Sequence, residues 1–308
     1  VIKALKELGS LTGMQEIKKQ AEQIIQLHRI SKLRKNHGLK NQSQSLHMVF
    51  TGNPGTGKTT AARLVGKAFA AAGILKIPKG SDEIPFVEIH HADVTSKYVG
   101  DAEKTIVEKF KQARGGVVFI DEAYAFTPSK DSEKGSGEKV VAAMVQMLED
   151  MRDEVLVIAA GYSQEMDHFL DSNPGLRSRF SSSVHFPDYS VPDMIQIAQS
   201  MLIDRDYYPN NQYLGVLSNR LWTDKDKKGF GNGRTVRNII EESIRLHSVR
   251  VSQIPSPSKN DLTVLTNLDI KLPHQEVLSE KDMLYKALNQ IQGRLLDLEL
   301  KELITKNS

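Results

Sequence analysis

The sequence predicts an α/β fold: a parallel sheet flanked by helices that binds phosphate, followed by a smaller, all-helical domain. Three observations predict it. Gly52-Asn53-Pro54-Gly55-Thr56-Gly57-Lys58-Thr59 has the spacing of a P-loop, and it lies between an apolar run, Leu46–Phe50, and a helical stretch that opens at Thr60. A second apolar run, Gly116–Ile120, ends in two acids, Asp121 and Glu122. Beyond Tyr189 the apolar residues recur mainly at helical spacing.

In chain order, residues 1–37 read as helix, broken at Leu11-Thr12-Gly13-Met14. Thr12 is placed to cap the second helix, with Gln15 in the reciprocal position. Ile17, Ala21, Ile24, Ile25, Leu27 and Ile30 give that helix one apolar face. It ends in the basic stretch Lys32–His37, which suits a helix C-terminus, with Gly38 as its stop. The strand and loop that follow carry the first chemistry. Glycines let backbone amides close around phosphate oxygens, and the helix N-terminus adds partial positive charge. Lys58 is expected to reach the β and γ phosphates and Thr59 to set its hydroxyl on Mg²⁺, with Thr60 in the same binding stretch.

Ile84–Ile89 reads as a second strand. The adjacent His90 and His91 lack a third ligand nearby, which argues against a metal site. The loop Thr95–Asp101 contains Tyr98 and Val99 and precedes a helix to about Arg114. Gly116–Ile120 reads as a fully buried parallel strand, and ligands of open α/β sheets bind at the end where its acids stand. Asp121 is expected to orient the Mg²⁺ shell, and Glu122 to position or deprotonate the attacking water. A charged loop, Thr127–Glu138, leads to a helix over 139–152, whose Val140, Val141, Met144, Met147, Leu148 and Met151 form a packing face. Val155–Ala160 reads as strand, Ser163–Leu170 as helix, Asn173–Phe180 as a turn and Val184–Phe186 as a short strand. Helical patterns then run over about 192–204, 210–222 and 234–252, and Leu262–Ile270 completes the smaller domain. In the tail, Leu284, Leu288, Ile291, Leu295 and Leu298 make a heptad-like seam, read as a helix on its own domain with a partner helix as the alternative. The division expected is a large α/β unit over 1–188, a small helical unit over 189–272 and a helical extension over 273–308.

Composition sets the limits. Lys and Arg number 41 against 38 Asp and Glu, so the net charge of +3 gives no bulk attraction to nucleic acid or membrane. The chain has no cysteine, which excludes disulfides and thiol catalysis and fits a cytoplasmic protein. No apolar run approaches the length of a membrane span.

Together these stretches resemble the AAA+ ATPases, and within them the group of stage V sporulation protein K and the red-type Rubisco activases. The resemblance rests on Leu11–Met14, Phe50–Thr60, Tyr98–Gly100, Gly115–Tyr124, Ala160–Phe169, Asn173–Phe180, Phe186–Tyr189 and Gly231–Asn238. It implies a large domain with a helical lid, and ATP and Mg²⁺ as cofactors. It also implies self-assembly into a ring, a hexamer, that remodels a protein substrate; Rubisco activation and a nucleotide-dependent switch stay open as alternatives. By that resemblance Arg179, with Arg177 beside it, is the arginine finger that reaches a neighbour's nucleotide. Arg234 is the sensor 2 arginine. Tyr98 and Val99 become pore-loop residues that grip the substrate. At the sensor 1 position, where many members carry a polar residue, this chain has Ala160-Gly161-Tyr162, leaving Tyr162 as the candidate.

Overall fold

Strands buried on both faces need apolar residues at nearly every position, and the central strands have them apart from Thr51. The structure, a computed structural model, describes residues 2–40, 45–78, 80, 83–94, 101–128, 136–180, 182–227 and 229–272. Its main sheet contains β1 (Met48–Gly52), β2 (Phe86–Ile89), β3 (Val117–Ile120), β4 (Leu156–Gly161) and β5 (Ser182–Phe186). All pairings are parallel, in the order β2-β3-β4-β1-β5. Alternation splits the strands between two cores. Met48, Phe50, Val117 and Phe119 pack on one face, while Val49, Val118 and Ile120 pack on the other. Register pairs Thr51 with Gly161 and Gly52 with Phe186, so the strands end along one edge, where the loops that follow them meet.

The first face is covered by α1 (Ile2–Ser10), α2 (Gln15–Asn36) and α3 (Lys58–Ala71). The second is covered by α4 (His91–Val94), α5 (Asp101–Gln112), α6 (Ser136–Asp150), α7 (Ser163–Asp171) and α8 (Pro174–Arg179). Of the expected packing face, Val140, Val141, Met144, Met147 and Leu148 of α6 and Met151 just after it are all buried. His47, just before β1, joins two elements on this side. Its Nε2 is 2.9 Å from the Leu148 carbonyl, and the Val157 amide donates to its Nδ1 at 3.2 Å. A carbonyl only accepts, so the proton sits on Nε2 and the ring is neutral. Burial lowers its pKa from 6.5 to about 4.

The lid comprises α9 (Val191–Ile203), α10 (Asn211–Asp224), α11 (Gly233–Val251) and α12 (Lys259–Thr263). Ser190 and Asp193 form a reciprocal capping box at the start of α9. Two short strands, β6 (Tyr208–Pro209) and β7 (Val264–Leu265), pair in parallel within the lid, which the sequence reading did not foresee. Arg250 forks onto the buried Asp269 carboxylate at 2.8 and 2.9 Å and ties α11 to the turn that closes the unit. Met194, Ala198, Tyr213 and Val236 of the lid belong to the same apolar cluster as Phe50 and Phe186.

Three local expectations are corrected. The N-cap of α2 is Met14, not Thr12, and no side chain bonds there. Met14 is instead buried in the core, so packing decides where this helix begins. Residues 174–179 form helix rather than turn: Pro174 fixes the first φ, and Asn173 Oδ1 accepts from the Gly175 amide at 2.8 Å. On α2 the core takes Ile17 and Ala21, while Leu27 and Ile30 are about half exposed, because the helix outruns the elements it packs on. Tyr98 and Val99, and the extension over 273–308, lie outside the described residues.

Candidate active site

The ends of β1, β3 and β4 open into a cleft of ≈ 710 Å³ between the sheet and the lid. Local chain geometry builds its floor. After Gly52 the loop turns through left-handed conformations at Gly55 (φ 73°) and Gly57 (φ 88°) before α3 begins at Lys58. Gly55 could carry no side chain, because a Cβ would overlap the Gly231 carbonyl of the lid. Gly52, Pro54, Gly55, Gly57, Lys58, Thr59 and Thr60 line the cleft. Thr56 is buried and its hydroxyl donates to the Asn53 carbonyl at 2.8 Å, closing the loop on itself. Asn53 points away from the floor, donating to the Asp188 carboxylate at 3.0 Å.

The Lys58 ammonium donates to the Gly52 and Asn53 carbonyls at 2.8 and 2.9 Å. Burial pulls its pKa below the ordinary lysine value; Asp121 opposes this, and Arg234 adds to it. These groups therefore share one electrostatic field. Asp121 and Glu122 enter from the end of β3. Glu122 is held at φ 49°, ψ 45°, a left-handed conformation that costs an L-residue about 1–2 kcal/mol. The turn directs the chain from β3 into a short 3₁₀ segment, Ala123–Phe126, and its amide rests 3.1 Å from the Asp121 carboxylate. Arg234 lines the opposite wall from the first turn of α11.

Sequence reasoning passed over Tyr124. It lines the cleft beside Tyr162, with ring centroids 5.8 Å apart. Burial pushes its phenol up to about 12, and the Glu122 charge adds to that, so the group remains a hydrogen-bond donor at neutral pH. Tyr124, together with Met166, accounts for the glycine that ends β4. A Cβ at Gly161 would stand 2.7 Å from the Tyr124 ring and 2.8 Å from Met166 Sδ. Tyr162 also lines the cleft, at the position where a polar residue was sought.

Arg177 and Arg179 are not brought to this cleft. Both sit on α8. Arg177 pairs with Asp171 at 2.7 Å, and Arg179 lies 3.4 Å from Glu149 while donating to the Gly175 carbonyl. Further residues that the sequence did not single out hydrogen-bond the loop: Asp188, Asn232 and Tyr189, the last of which also lines the cleft. The stretches Phe186–Tyr189 and Gly231–Asn238 carried the signal, but nothing in either one shows that they meet.

The arrangement offers backbone amides, a lysine, a hydroxyl and two carboxylates around one cleft, which suits phosphate chemistry. Comparison with known proteins agrees. Residues 48–188 match the profile of the ATPase family associated with various cellular activities (AAA), and residues 190–280 match that of an AAA lid domain. Stage V sporulation protein K of Bacillus subtilis is 39% identical over 273 residues, covering 88% of this chain and 82% of that protein. The chloroplastic ribulose bisphosphate carboxylase/oxygenase activase of Cyanidioschyzon merolae is 33% identical over 262 residues, covering 84% and 87%. Protein CbbX of Cereibacter sphaeroides is 34% identical over 240 residues, covering 78% and 75%. Among solved structures, the AAA domain of FIGL-1 superposes with a TM-score of 0.56 at 19% identity, over 92% of this chain and 88% of that one. The chain thus belongs to the AAA ATPases, in the group that contains stage V sporulation protein K and the red-type Rubisco activases, and is a nucleotide-binding ATPase.

Proposed function

We propose that this ATPase assembles into a ring, a hexamer, that hydrolyses ATP at its subunit interfaces and remodels a protein substrate through the central pore. One observation carries the reading: Arg177 and Arg179 stand on α8, away from the cleft that holds Lys58, Asp121 and Glu122. Arginines so placed act on a phosphate only if a second copy supplies it. In this reading Gly52 to Thr60 cradle the phosphates and Lys58 contacts the β and γ groups. Thr59 and Asp121, hard oxygen donors lining one cleft, suit Mg²⁺. Mg²⁺ held there neutralises charge on the phosphates. Glu122 positions the attacking water, Arg234 contacts the phosphates from the lid, and Arg179 with Arg177 completes the site from the neighbour. Tyr98 and Val99 are assigned to the pore. The reading keeps the division into 1–188, 189–272 and 273–308; the first boundary is supported by profile matches that change over between residues 188 and 190, while the lid profile runs on to residue 280. A cytoplasmic site of action is supported by the absence of cysteine. Among the described residues, no helix is long and apolar enough to cross a membrane.

ATP turnover against protein concentration, with mass photometry on the same samples, tests the reading. Specific activity is expected to rise as rings form and to fall about 1,000-fold in Arg179→Ala. Turnover that ignores concentration, or a folded Arg179→Ala with full activity, would place a monomeric switch ahead of the ring. The activase among the relatives supports a narrower second reading, reactivation of inhibited Rubisco, which a carboxylation assay with the purified enzyme checks directly.

A further inference from the structure

We propose that the lid hinge is part of the phosphate-binding apparatus: Asn232, Gly233 and Tyr189 are positioning residues that aim three P-loop amides into the cleft. Three successive loop carbonyls point at the hinge. Pro54 O accepts from Asn232 Nδ2 at 3.4 Å, Gly55 O from the Gly233 amide at 3.0 Å, and Thr56 O from the Tyr189 hydroxyl at 3.0 Å. No peptide bond here is cis. In a trans peptide the C=O and the next N–H point in opposite directions. Carbonyls 54, 55 and 56 held toward the lid therefore turn the amides of Gly55, Thr56 and Gly57 the other way. Gly55 and Gly57 line the cleft, and so do Tyr189 and Gly233. Among the described residues, none of these three amides has a backbone partner. A hydrogen bond accepted at the carbonyl also polarises the peptide and strengthens its amide as a donor.

The hinge is braced for this task. Asn232 is buried and sits at φ 48°, ψ −125°, a conformation disfavoured for any residue with a Cβ. Its side chain explains why it stays there. Oδ1 accepts from the Tyr189 amide at 3.0 Å, and Nδ2 donates to Asp188 at 2.8 Å as well as to Pro54. The same Asp188 carboxylate accepts from Asn53, so one anion fastens the first variable residue of the loop to the lid. If lid groups aim the amides, phosphate that engages the amides must hold the lid by the same factor, because linkage is reciprocal.

The competing explanation is that these bonds merely seat the lid. Two variants separate the ideas. Tyr189→Phe keeps the buried ring and removes one hydroxyl; Asn232→Gly suits the backbone and removes one amide. Displacement of a fluorescent ADP analogue by ADP, by adenosine and by inorganic tripolyphosphate reads the effect. The expected result is about fivefold weaker binding of ADP and tripolyphosphate in each variant, with adenosine unchanged. Amide hydrogen exchange adds the reciprocal readout: tripolyphosphate slows exchange in α9 and α11 of the parent and fails to do so in the variants at saturation. An unchanged ratio of ADP to adenosine affinity overturns the proposal, whether both hold or both fall together. Should Asn232→Gly not fold, Tyr189→Phe decides alone. Binding is measured below the concentration at which rings form, so the ring reading can fail without touching this result.

Discussion

Glu122 shows how much a single residue is asked to do. It is strained at φ 49°, it adjoins Asp121, and its charge helps to raise the neighbouring Tyr124 phenol. Strain of this kind persists where the surroundings over-determine a conformation. Glu122→Gln keeps the shape and removes the charge. Turnover is expected to fall about 100-fold or more, with ATP binding retained, as measured by single-turnover hydrolysis beside equilibrium binding. At this scale the sequence was legible where neighbours in the chain make the chemistry. Gly52 to Thr59 and Asp121-Glu122 are local patterns whose spacing fixes their geometry. Tyr124, Asp188 and Asn232 were not legible, because their meaning lies in contacts between remote stretches: Tyr189 meets Thr56 across 133 residues, and Asn232 meets Pro54 across 178.

Among the elements, α8 is the informative case. Its six residues read as a turn, yet Asn173-Pro174 already contains a cap and a preset first φ. The signal was present and was outweighed by the shortness of the segment. In contrast, β6 and β7 have two residues each, too few for any periodicity to register. The cap on α8 bears on the ring reading, because that helix carries Arg177 and Arg179. Asn173→Ala removes the bond to the Gly175 amide and is expected to cost about 1 kcal/mol of local stability. Turnover at ring-forming concentrations should then drop severalfold while nucleotide affinity holds. Titration calorimetry and a steady-state ATPase assay on the same preparation separate the two.

For the whole molecule, acid is the discriminating stress. His47 is buried and neutral when folded, with a pKa of about 4, and titrates near 6.5 when unfolded. Below 6.5 the unfolded chain binds the extra proton, so stability is full above that pH and declines as pH falls toward 4. The loss attributable to this group is about 3 kcal/mol. Urea midpoints across that window should fall steadily in the parent, and His47→Asn should be weaker at pH 7 with a flatter dependence. The parallel sheet and the mainly helical lid followed from apolar runs and their spacing; the lid's two short strands did not. Nor did the core that sheet and lid share, since Met194 and Phe50 carry no mark of belonging to one cluster. The bonds between lid and loop have a mechanical consequence. A pull on the lid is passed to the loop after β1 by the bonds from Gly233 and Tyr189 to Gly55 and Thr56, so the lid tugs on the chain that leaves the sheet.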